Sequence, residues 1–402
     1  MIAKRLTCLL LFSLSACSTT EEQVVDLLEQ IAAHPIDSPG WQQAVDNLAT
    51  IGRPAARQLI ARLNPGLYVG EDYREFRDEQ EQLRTGCAQA LGRIKPRGAT
   101  AALKDRITAA YTENERTACL WAIGQIGYSQ VGIDALKVQL KDSNPVIRIH
   151  AAIAIVKMDD NVGDDEIEAA FTDARLAPIA LQGLEESSYF GVPLLMRLST
   201  DGGPQQQALR QIIDKVKDQL VTQLTAEEPV HRLRAANALG QIGDPGPTQA
   251  LANLLTDPSN QVRFSAAAAL ATLDQAQGID FLFQALRNTD SILRANAVKF
   301  LAEVQSQSGS VESQLISALS AEAPLARAGA AQVLGQARVQ TAIASLIEAT
   351  TDKTAEVRVN AIIALGQIGT GQSRARLESL RTDDDATVAY YAEWALGQLG
   401  PS

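Results

Sequence analysis

The residues that most often carry chemistry are few in this chain, and they lack the spacings that catalysis or metal binding requires. None of its three histidines (His34, His150 and His231) forms an H-x-x-x-H or His-Glu pair or lies near a cysteine at metal-ligand spacing. The segment Gly240–Gly246 is glycine-rich like a phosphate loop, but it follows a helical pattern where such loops follow a strand. The acidic run Asp159–Glu166 lacks the spacing of a calcium loop and is predicted to be a solvated turn. We expect no catalytic site, no metal and no cofactor.

The N-terminus is the segment with the most specific pattern. A basic start, MIAKR, precedes the short apolar run LTCLLLFSL and the sequence LSAC at Leu14–Cys17. The run is too short to span a bilayer and is typical of a secretory signal. LSAC resembles the lipobox of bacterial lipoproteins, in which the signal is cleaved just before a cysteine whose thiol is diacylated. This resemblance implies a signal over residues 1–16, a lipid anchor on Cys17 and a tether over 17–21. An ordinary signal with an incidental cysteine is the alternative.

The residue after Cys17 bears on location. It is Ser18 rather than aspartate, which resembles the outer-membrane pattern of lipoproteins in diderm bacteria. The resemblance therefore implies a protein held by its acyl chains in the outer membrane and facing the periplasm.

The charge of the chain limits the class of partner. The formal net charge of the 402 residues is −11, and loss of Lys4 and Arg5 with the signal would leave −13. Such acidity argues against binding nucleic acid or anionic headgroups through a general basic field. The expected partner is a protein, and the membrane is contacted through the lipid anchor alone.

A period of about 31 residues organises the rest of the chain. The segment ALGQIG at Ala238–Gly243 recurs at Ala364–Gly369, and we number each repeat from the first glycine of this motif as position 0. Position 0 then falls at Ala49, Gly92, Gly124, Val156, Glu185, Gly240, Ala271, Ala302, Gly335, Gly366 and Gly397. Such self-similarity is typical of a solenoid of helix pairs.

Other positions of the repeat follow helical geometry. An arginine stands at −8, a small residue at −5, Leu or Ile at −1 and usually an aliphatic residue at +2, and these offsets share one face of a helix. A second amphipathic helix completes each unit, as at Thr248–Asp257. We predict an all-α fold, an α-α superhelix of about eleven helix-pair repeats.

The repeat also carries a family resemblance. The pattern V-R-x-x-A-x-x-A-L-G-x-I-G, best seen in Thr351–Gly369, resembles a HEAT repeat and is closest to the short HEAT-like repeats of phycobilisome lyases. It implies a solenoid over residues 22–402 whose V-R…L-G helices line the concave face. The pattern is weakest over 174–225, where we expect degenerate repeats.

The arginines and the two mature cysteines are predicted to be structural. In such arrays the turn aspartate and the helix arginine resemble a ladder between adjacent repeats, which suggests the pairs Asp257 with Arg263 and Asp352 with Arg358. Cys87 and Cys119 both stand at −5 of consecutive repeats. Stacked helices lie 8–10 Å apart, which is too far for a disulfide. They are expected to be two small core thiols.

Positions −6, −3 and +1 form a second stripe on the inner helix, away from the packing face. This stripe is mostly neutral or basic and includes the residue types that most often carry interface energy. The predicted contact residues for a protein or peptide partner are Trp121, Arg234, Lys299, Tyr391 and Trp394. Alternatively, Trp121 folds onto a neighbouring turn, and Tyr391 with Trp394 caps the last repeat.

One longer step interrupts the period between Ala49 and Gly92. The extra segment, residues 64–82, contains Tyr68 and Tyr73, which are a second candidate contact surface because insertions in repeat arrays often lie on a binding face. Lengthening of a helix after Gly70 is the alternative. The function expected from these patterns is a lipid-anchored envelope adaptor. A lyase-like enzyme or cofactor-attachment factor is one alternative, and a protein that binds cell-wall glycan is the other.

Overall fold

A computed structural model describes residues 19–63, 73–110, 112–200 and 205–399, and within residues 73–78 it describes the backbone alone. The predicted signal over 1–16, the lipidation site Cys17 and the contact residue Tyr68 lie outside the described residues. Tyr73 is the first residue of a helix, and nothing is said of its side chain.

The chain divides into two compact units, residues 1–212 and 213–402. The first unit contains eleven helices in its described part: α1 (Thr20–Ala33), α2 (Pro39–Ile51), α3 (Arg53–Leu63), α4 (Tyr73–Ile94), α5 (Thr100–Ala109), α6 (Glu113–Ile126), α7 (Gln130–Gln139), α8 (Pro145–Val156), α9 (Asp164–Ala170), α10 (Ala177–Glu186) and α11 (Val192–Thr200). A twelfth helix, α12 (Gln206–Gln223), contains the boundary between the units.

The second unit continues the same alternation. Its helices after α12 are α13 (Pro229–Ile242), α14 (Thr248–Asn253), α15 (Asn260–Thr272), α16 (Ala276–Ala285), α17 (Ser291–Ser308), α18 (Glu312–Ala318), α19 (Pro324–Gln336), α20 (Ile343–Ala349), α21 (Ala355–Ile368), α22 (Arg374–Ser379) and α23 (Ala386–Gln398). Short 3₁₀ turns lie at Arg97–Ala99, Ser188–Phe190, Leu254–Thr256, Gln340–Ala342, Gly371–Ser373 and Leu380–Thr382. The described residues contain no strand.

Alternate helices stack on one another within each unit. In the first unit α4 packs on α6, α6 on α8 and α8 on α10; in the second, α13, α15, α17, α19, α21 and α23 form the same series. We call these the inner helices. Every predicted position 0 falls within α2, α4, α6, α8, α10 or an inner helix of the second unit. The predicted all-α fold of stacked helix pairs is therefore confirmed.

Three expected boundaries are refined by local structure. Helix α1 begins at Thr20, inside the span predicted as a tether, because Thr19 and Glu22 form a reciprocal capping box. Residues Tyr73–Ile94 form one helix, so the later part of the extra segment lengthens α4. The span predicted to be degenerate, 174–225, still forms helices, α10 to α12, although it lacks the repeat's arginine.

The glycine at position 0 brings neighbouring inner helices together. A Cβ added at Gly335 would lie 2.6 Å from Cα of Ala364 on α21, and one added at Gly240 would lie 2.9 Å from Cα of Ala269 on α15. The alanine at −2 of the next repeat faces the glycine in three further repeats, with Ala122 opposite Gly92, Ala154 opposite Gly124 and Ala395 opposite Gly366. Where position 0 is alanine, at Ala271 and Ala302, the next repeat's position −2 is bulky, at Phe300 and Val333. Position 0 is glycine or alanine in nine of the eleven repeats, as predicted, and Val156 and Glu185 occupy it in the other two.

The residue at +3 ends the inner helix in a left-handed conformation. Its φ is positive at nine of the ten described positions: Gly52, Lys95, Gly127, Asp159, Ser188, Gly243, Asp274, Arg338 and Gly369. The exception is Gln305, because α17 continues to Ser308 and ends at Gly309, whose φ is 68°. The step between Ala302 and Gly335 is also the longest in the second unit, at 33 residues against 31. The predicted C-cap therefore forms even where the residue is not glycine.

Replacing Arg338 with glycine is expected to raise the free energy of unfolding by about 1 kcal/mol, because a side chain at positive φ costs about that much. Arg338 has a φ of 51° and an exposed side chain. Urea denaturation would measure the change. The reciprocal variant Gly369→Ala, at a φ of 75°, should lose a similar amount. A loss of stability in Arg338→Gly would contradict this interpretation.

The arginines at −8 form a ladder between successive repeats. Arg327 donates from Nε and Nη2 to the two carboxylate oxygens of Asp352, at 2.6 and 2.9 Å, and Arg232 contacts Asp257 in the same way, at 2.7 and 3.0 Å. The acceptor stands at −14 of the following repeat. Nη1 of both arginines donates to two main-chain carbonyls of the arginine's own turn. The arginines are structural, as predicted.

The two pairs named from the sequence are nevertheless wrong. Arg263 donates to the main-chain carbonyl of Asp257 (2.6 Å), and Arg358 to that of Asp352 (3.0 Å), in neither case to the carboxylate. The carboxylate faces the preceding repeat because one of its oxygens also accepts from a main-chain N–H two residues on, as from Thr354 to Asp352 at 2.8 Å. Asp257 and Asp352 therefore each serve two arginines with different groups.

Cys87 and Cys119 are free and completely buried, which confirms the prediction of two core thiols. Burial raises the pKa of Cys87 to about 12 and raises that of Cys119 further. Both groups therefore stay protonated and unreactive at physiological pH.

Candidate partner-binding grooves

The predicted stripe lines a groove in each unit. In the first unit, α4, α6, α8 and α10 surround a groove of about 360 Å³. The stripe positions that line it are Gln89, Arg93, Ala118, Trp121, His150, Ile153, Ile179, Gln182 and Glu186. The wall is therefore mixed, with isoleucine and tryptophan faces between amide and charged groups, as is common in surfaces that bind peptides.

Trp121 has a structural role in this groove as well as an accessible face. Its ring covers Gly92, where an added Cβ would lie 2.9 Å from Cε3 of the indole. Its Nε1 donates to Oε2 of Glu186 on α10, at 3.3 Å. The side chain is half-buried. The indole therefore crosses the groove from α6 toward α10, and contact of Trp121 with a partner stays a prediction.

Glu186 is the acceptor at the centre of a small polar network. It receives hydrogen bonds from Lys157 Nζ at 3.0 Å and from Gln182 Nε2 at 3.0 Å. Burial lowers the pKa of Lys157, whose exposed fraction is 7 %, although the negative charge of Glu186 opposes this shift. Burial opposes ionisation of Glu186, but the charge of Lys157 and the hydrogen bonds from Lys157, Gln182 and Trp121 together hold the pKa of Glu186 below its ordinary value. The two groups form a compensated ion pair in the groove wall.

His150 lies in the same wall. Burial lowers its pKa, so the imidazole is neutral at pH 7. With Gln89 and Gln182 it offers a neutral surface that can donate and accept hydrogen bonds, which suits the main chain of a bound peptide.

The groove of the second unit is lined by α13, α15 and α17 and has a volume of about 440 Å³. Its stripe positions are Asn237, Gln241, Ser265, Ala268, Thr272, Asn296, Lys299 and Glu303. Small residues, Gly240, Ala268 and Ala269, border it, while Phe300 stacks on the buried Phe264 with ring centroids 6.0 Å apart. Because Ala268 occupies the −3 position that Trp121 fills in the first unit, this groove contains no indole.

The predicted contact residues do not meet in one site. Trp121 lies in the first groove and Lys299 in the second, where its exposed Nζ lies 3.8 Å from Glu303. Arg234 is half-buried on α13 and does not line the second groove. Tyr391 and Trp394 contact each other on α23, with centroids 6.5 Å apart.

The C-terminal aromatic residues repeat part of the arrangement seen at Trp121. Trp394 lies over Gly366, where an added Cβ would be 2.8 Å from Cζ3 of the indole, and it remains 36 % exposed. Tyr391 is half-buried. The pair therefore packs on the preceding repeat and also offers an aromatic edge to solvent.

Sequence reasoning missed Glu186, Gln182 and Phe300 as groove residues. Glu186 and Gln182 stand at +1 and −3 of the repeat at Glu185, so applying the stripe to this weak repeat would have found them. Phe300 stands at −2, which the stripe does not include, and only its contact with Phe264 explains its place.

Part of the acidic run Asp159–Glu166 is paired with neighbouring cations. Asp160 pairs with Lys137 at 3.3 Å and Asp164 with Arg197 at 3.4 Å. Among the described residues no group of His, Cys, Asp or Glu side chains could hold a metal ion. In the same part of the chain, no helix is long and apolar enough to cross a bilayer.

Comparison with known proteins identifies the repeat. A HEAT-repeat family model matches residues 207–271, 248–311 and 312–397, so this part of the chain consists of HEAT repeats. No curated protein matches the chain.

Several solved helical-repeat structures are similar to the chain at low identity. An engineered protein is 20% identical, with 94% of this chain and 98% of that chain covered and a TM-score of 0.29. Human deoxyhypusine hydroxylase in complex with glycerol is 17% identical, with 76% and 99% covered and a TM-score of 0.26. The karyopherin Kap121p is 13% identical, with 95% and 45% covered and a TM-score of 0.38.

Proposed function

We propose that this chain, whose residues 207–397 are HEAT repeats, is a scaffold that binds a protein or peptide partner in the grooves of its inner helices. The observation that carries the proposal is the groove of the second unit. It is bordered by small residues and by amide and hydroxyl side chains from three successive inner helices. Apart from the Lys299–Glu303 pair, such a surface can accept a polypeptide main chain through uncharged donors and acceptors.

The charge distribution supports a neutral polypeptide partner. The chain is strongly acidic, with a net charge of −11. Asn237, Gln241, Asn296 and Thr272, which line the second groove, are uncharged, and Lys299 and Glu303 offset each other. The binding mechanism is surface complementarity without chemistry, so the protein acts as an adaptor and not as an enzyme.

Site-specific photo-crosslinking in the native cell envelope tests this function. A photoreactive amino acid at Gln241 or Lys299 is expected to give a discrete adduct that mass spectrometry identifies as a protein. The matched control is Gln284, which is exposed on α16, a helix that is not one of the inner helices. Adducts of equal yield from Gln284, or none from either groove position, would contradict the proposal.

The adaptor is further proposed to be held in the outer membrane by acyl chains on Cys17 and to face the periplasm. The support is the LSAC sequence at Leu14–Cys17 and the serine that follows it. Two or more acyl chains give stable anchoring where a single chain does not.

Metabolic labelling with a palmitate analogue tests the anchor. The wild-type chain is expected to carry the label and to fractionate with outer membranes, and Cys17→Ala is expected to lose the label. The control Cys119→Ala removes a buried thiol and should keep it. Persistent labelling of Cys17→Ala, or recovery of the labelled chain with inner membranes, would contradict the anchor or its location.

A further inference from the structure

The arginine ladder of the second unit lacks a carboxylate at two consecutive steps. Position −14 is aspartate in five repeats, at Asp78, Asp142, Asp257, Asp352 and Asp383. It is Asn288 in the repeat after Arg263 and Ala321 in the repeat after Arg294. These two arginines therefore face a position from which the acceptor of the ladder is missing.

Arg294 is held in the same way as the paired arginines. Its Nη1 donates to the main-chain carbonyls of Asn288 and Thr289, both at 2.8 Å. Arg327 uses Nη1 in the same way, on the carbonyls five and six residues before it, and presents Nε and Nη2 to Asp352. The guanidinium of Arg294 is therefore oriented before any carboxylate is present.

The remaining edge of Arg294 is open. No carboxylate in the described residues lies within ion-pair distance of its guanidinium, and the methyl group of Ala321 cannot accept a hydrogen bond. Arg263 differs, because its Nη2 already donates to Asn260. Arg294 is thus the ladder position at which an external carboxylate can bind.

An exposed apolar side chain lies in the same turn of α17 as Arg294. Ile292, two residues before Arg294 in the first turn of α17, is 70 % exposed. Arg287, which precedes Asn288 in the sequence, and Glu322, which follows Ala321, are also exposed. Neither Ile292 nor Arg294 lines the groove of the second unit, so this surface is separate from the proposed groove.

We propose that Arg294 binds an acidic segment of a partner polypeptide, in which an aspartate or glutamate carboxylate completes the missing step of the ladder. The chemistry is the one the chain uses internally, since a planar carboxylate accepts from Nε and Nη2 at Arg232 and Arg327. A phosphate or sulfate would not have this internal counterpart.

Nuclear magnetic resonance of the arginine Nε–Hε groups tests the site with acetyl-aspartate amide as the probe. The Arg294 resonance, assigned by its absence from Arg294→Lys, is expected to shift in a saturable way. Acetyl-asparagine amide, which has the same shape without the charge, should leave it unchanged. The resonance of the exposed Arg287 is the internal reference. No shift at Arg294, or an equal shift at Arg287, would overturn the proposal.

A second variant separates binding from a general charge effect. Ala321→Asp supplies the missing carboxylate within the chain, so it is expected to abolish the response of Arg294 to the probe. It should also raise the melting temperature by about 1–3 °C, and Ala321→Asn, which lacks the charge, should not. The gain should disappear when Arg294→Gln is added. A probe response that persists in Ala321→Asp would contradict the assigned site.

Discussion

Replacing Gly335 with valine is expected to lower the free energy of unfolding of the second unit by about 3 kcal/mol. A Cβ at this position would lie 2.6 Å from Cα and 2.8 Å from Cβ of Ala364. Both atoms belong to α21, so rotation of a side chain cannot relieve the overlap and the helices must separate. Separation would open a cavity along the packed face of α19 and α21. Guanidinium denaturation followed by circular dichroism would measure the loss.

Gly397 provides the matched control for this prediction. It occupies the same position 0 of its repeat, but no described atom lies within 4 Å of an added Cβ. Gly397→Val is therefore expected to change stability by less than about 0.5 kcal/mol, in the range of helix propensity. Equal losses in the two variants would show that close approach of helices is not the reason for glycine at position 0.

Removing the carboxylate of Asp352 is expected to cost about 2 kcal/mol. Asp352→Ala leaves the guanidinium of Arg327, 6 % exposed, with its two main-chain partners and no counter-charge. The cost lies between the values typical of exposed and of fully buried pairs. Denaturation in urea at pH 7 would measure it. Asp384→Ala makes the same charge change at an exposed neighbouring turn and should stay within about 0.5 kcal/mol of the wild type.

The same pair predicts a pH dependence. The hydrogen bonds from Arg327 hold the pKa of Asp352 below its ordinary value of 3.8. A carboxylate with a lowered folded pKa adds stability that is complete above the unfolded pKa and is lost as the pH falls through the folded value. Arg232 lowers the pKa of Asp257 in the same direction. Stability should therefore fall below about pH 4, and Asp352→Asn should flatten that decline. If the stability of Asp352→Asn declined at acidic pH as steeply as that of the wild type, the assignment of this decline to the Arg327–Asp352 pair would be contradicted.

The repeat pattern determined much of the fold because its signals are local. Position 0 is a small residue against a facing helix in most repeats, and the residue at +3 has positive φ at nine of ten described positions, so both could be located without a structure. The positive φ at Lys95, Asp274 and Arg338 shows that stacking of the repeats fixes this conformation even against residue preference.

The ion pairs that were predicted wrongly and the groove residue that was missed both depend on contacts between repeats. The partner of each turn aspartate could not be chosen from the sequence, because Arg232 and Arg263 both lie near Asp257 and use different groups of it. The hydrogen bond from Trp121 to Glu186 joins residues 65 positions apart. Its acceptor lies in a repeat whose motif is weak, so periodicity alone did not indicate it.

The grooves themselves were predicted only as a stripe of positions. Residues at positions −6, −3 and +1 line both grooves, but the sequence pattern did not indicate which repeats form a groove. That depends on side-chain size at single positions, such as Ala268 in the second unit against Trp121 in the first. Arg234 shares the stripe and still lies outside the groove lining.

Partner binding in the groove of the second unit is tested by the yield of the photo-crosslinked adduct in an Ala268→Trp variant. Tryptophan is already accommodated at −3 in α6 and α23, where it lies over the preceding glycine, so the indole should cover Gly240 and fill the groove while the fold is kept. With the photoreactive residue at Lys299, we expect at least a tenfold loss of adduct. This loss corresponds to a binding free energy weaker by on the order of 1.4 kcal/mol or more. Gln284→Trp, on α16, should leave the yield of the adduct unchanged. An adduct of undiminished yield in Ala268→Trp would contradict partner binding in this groove.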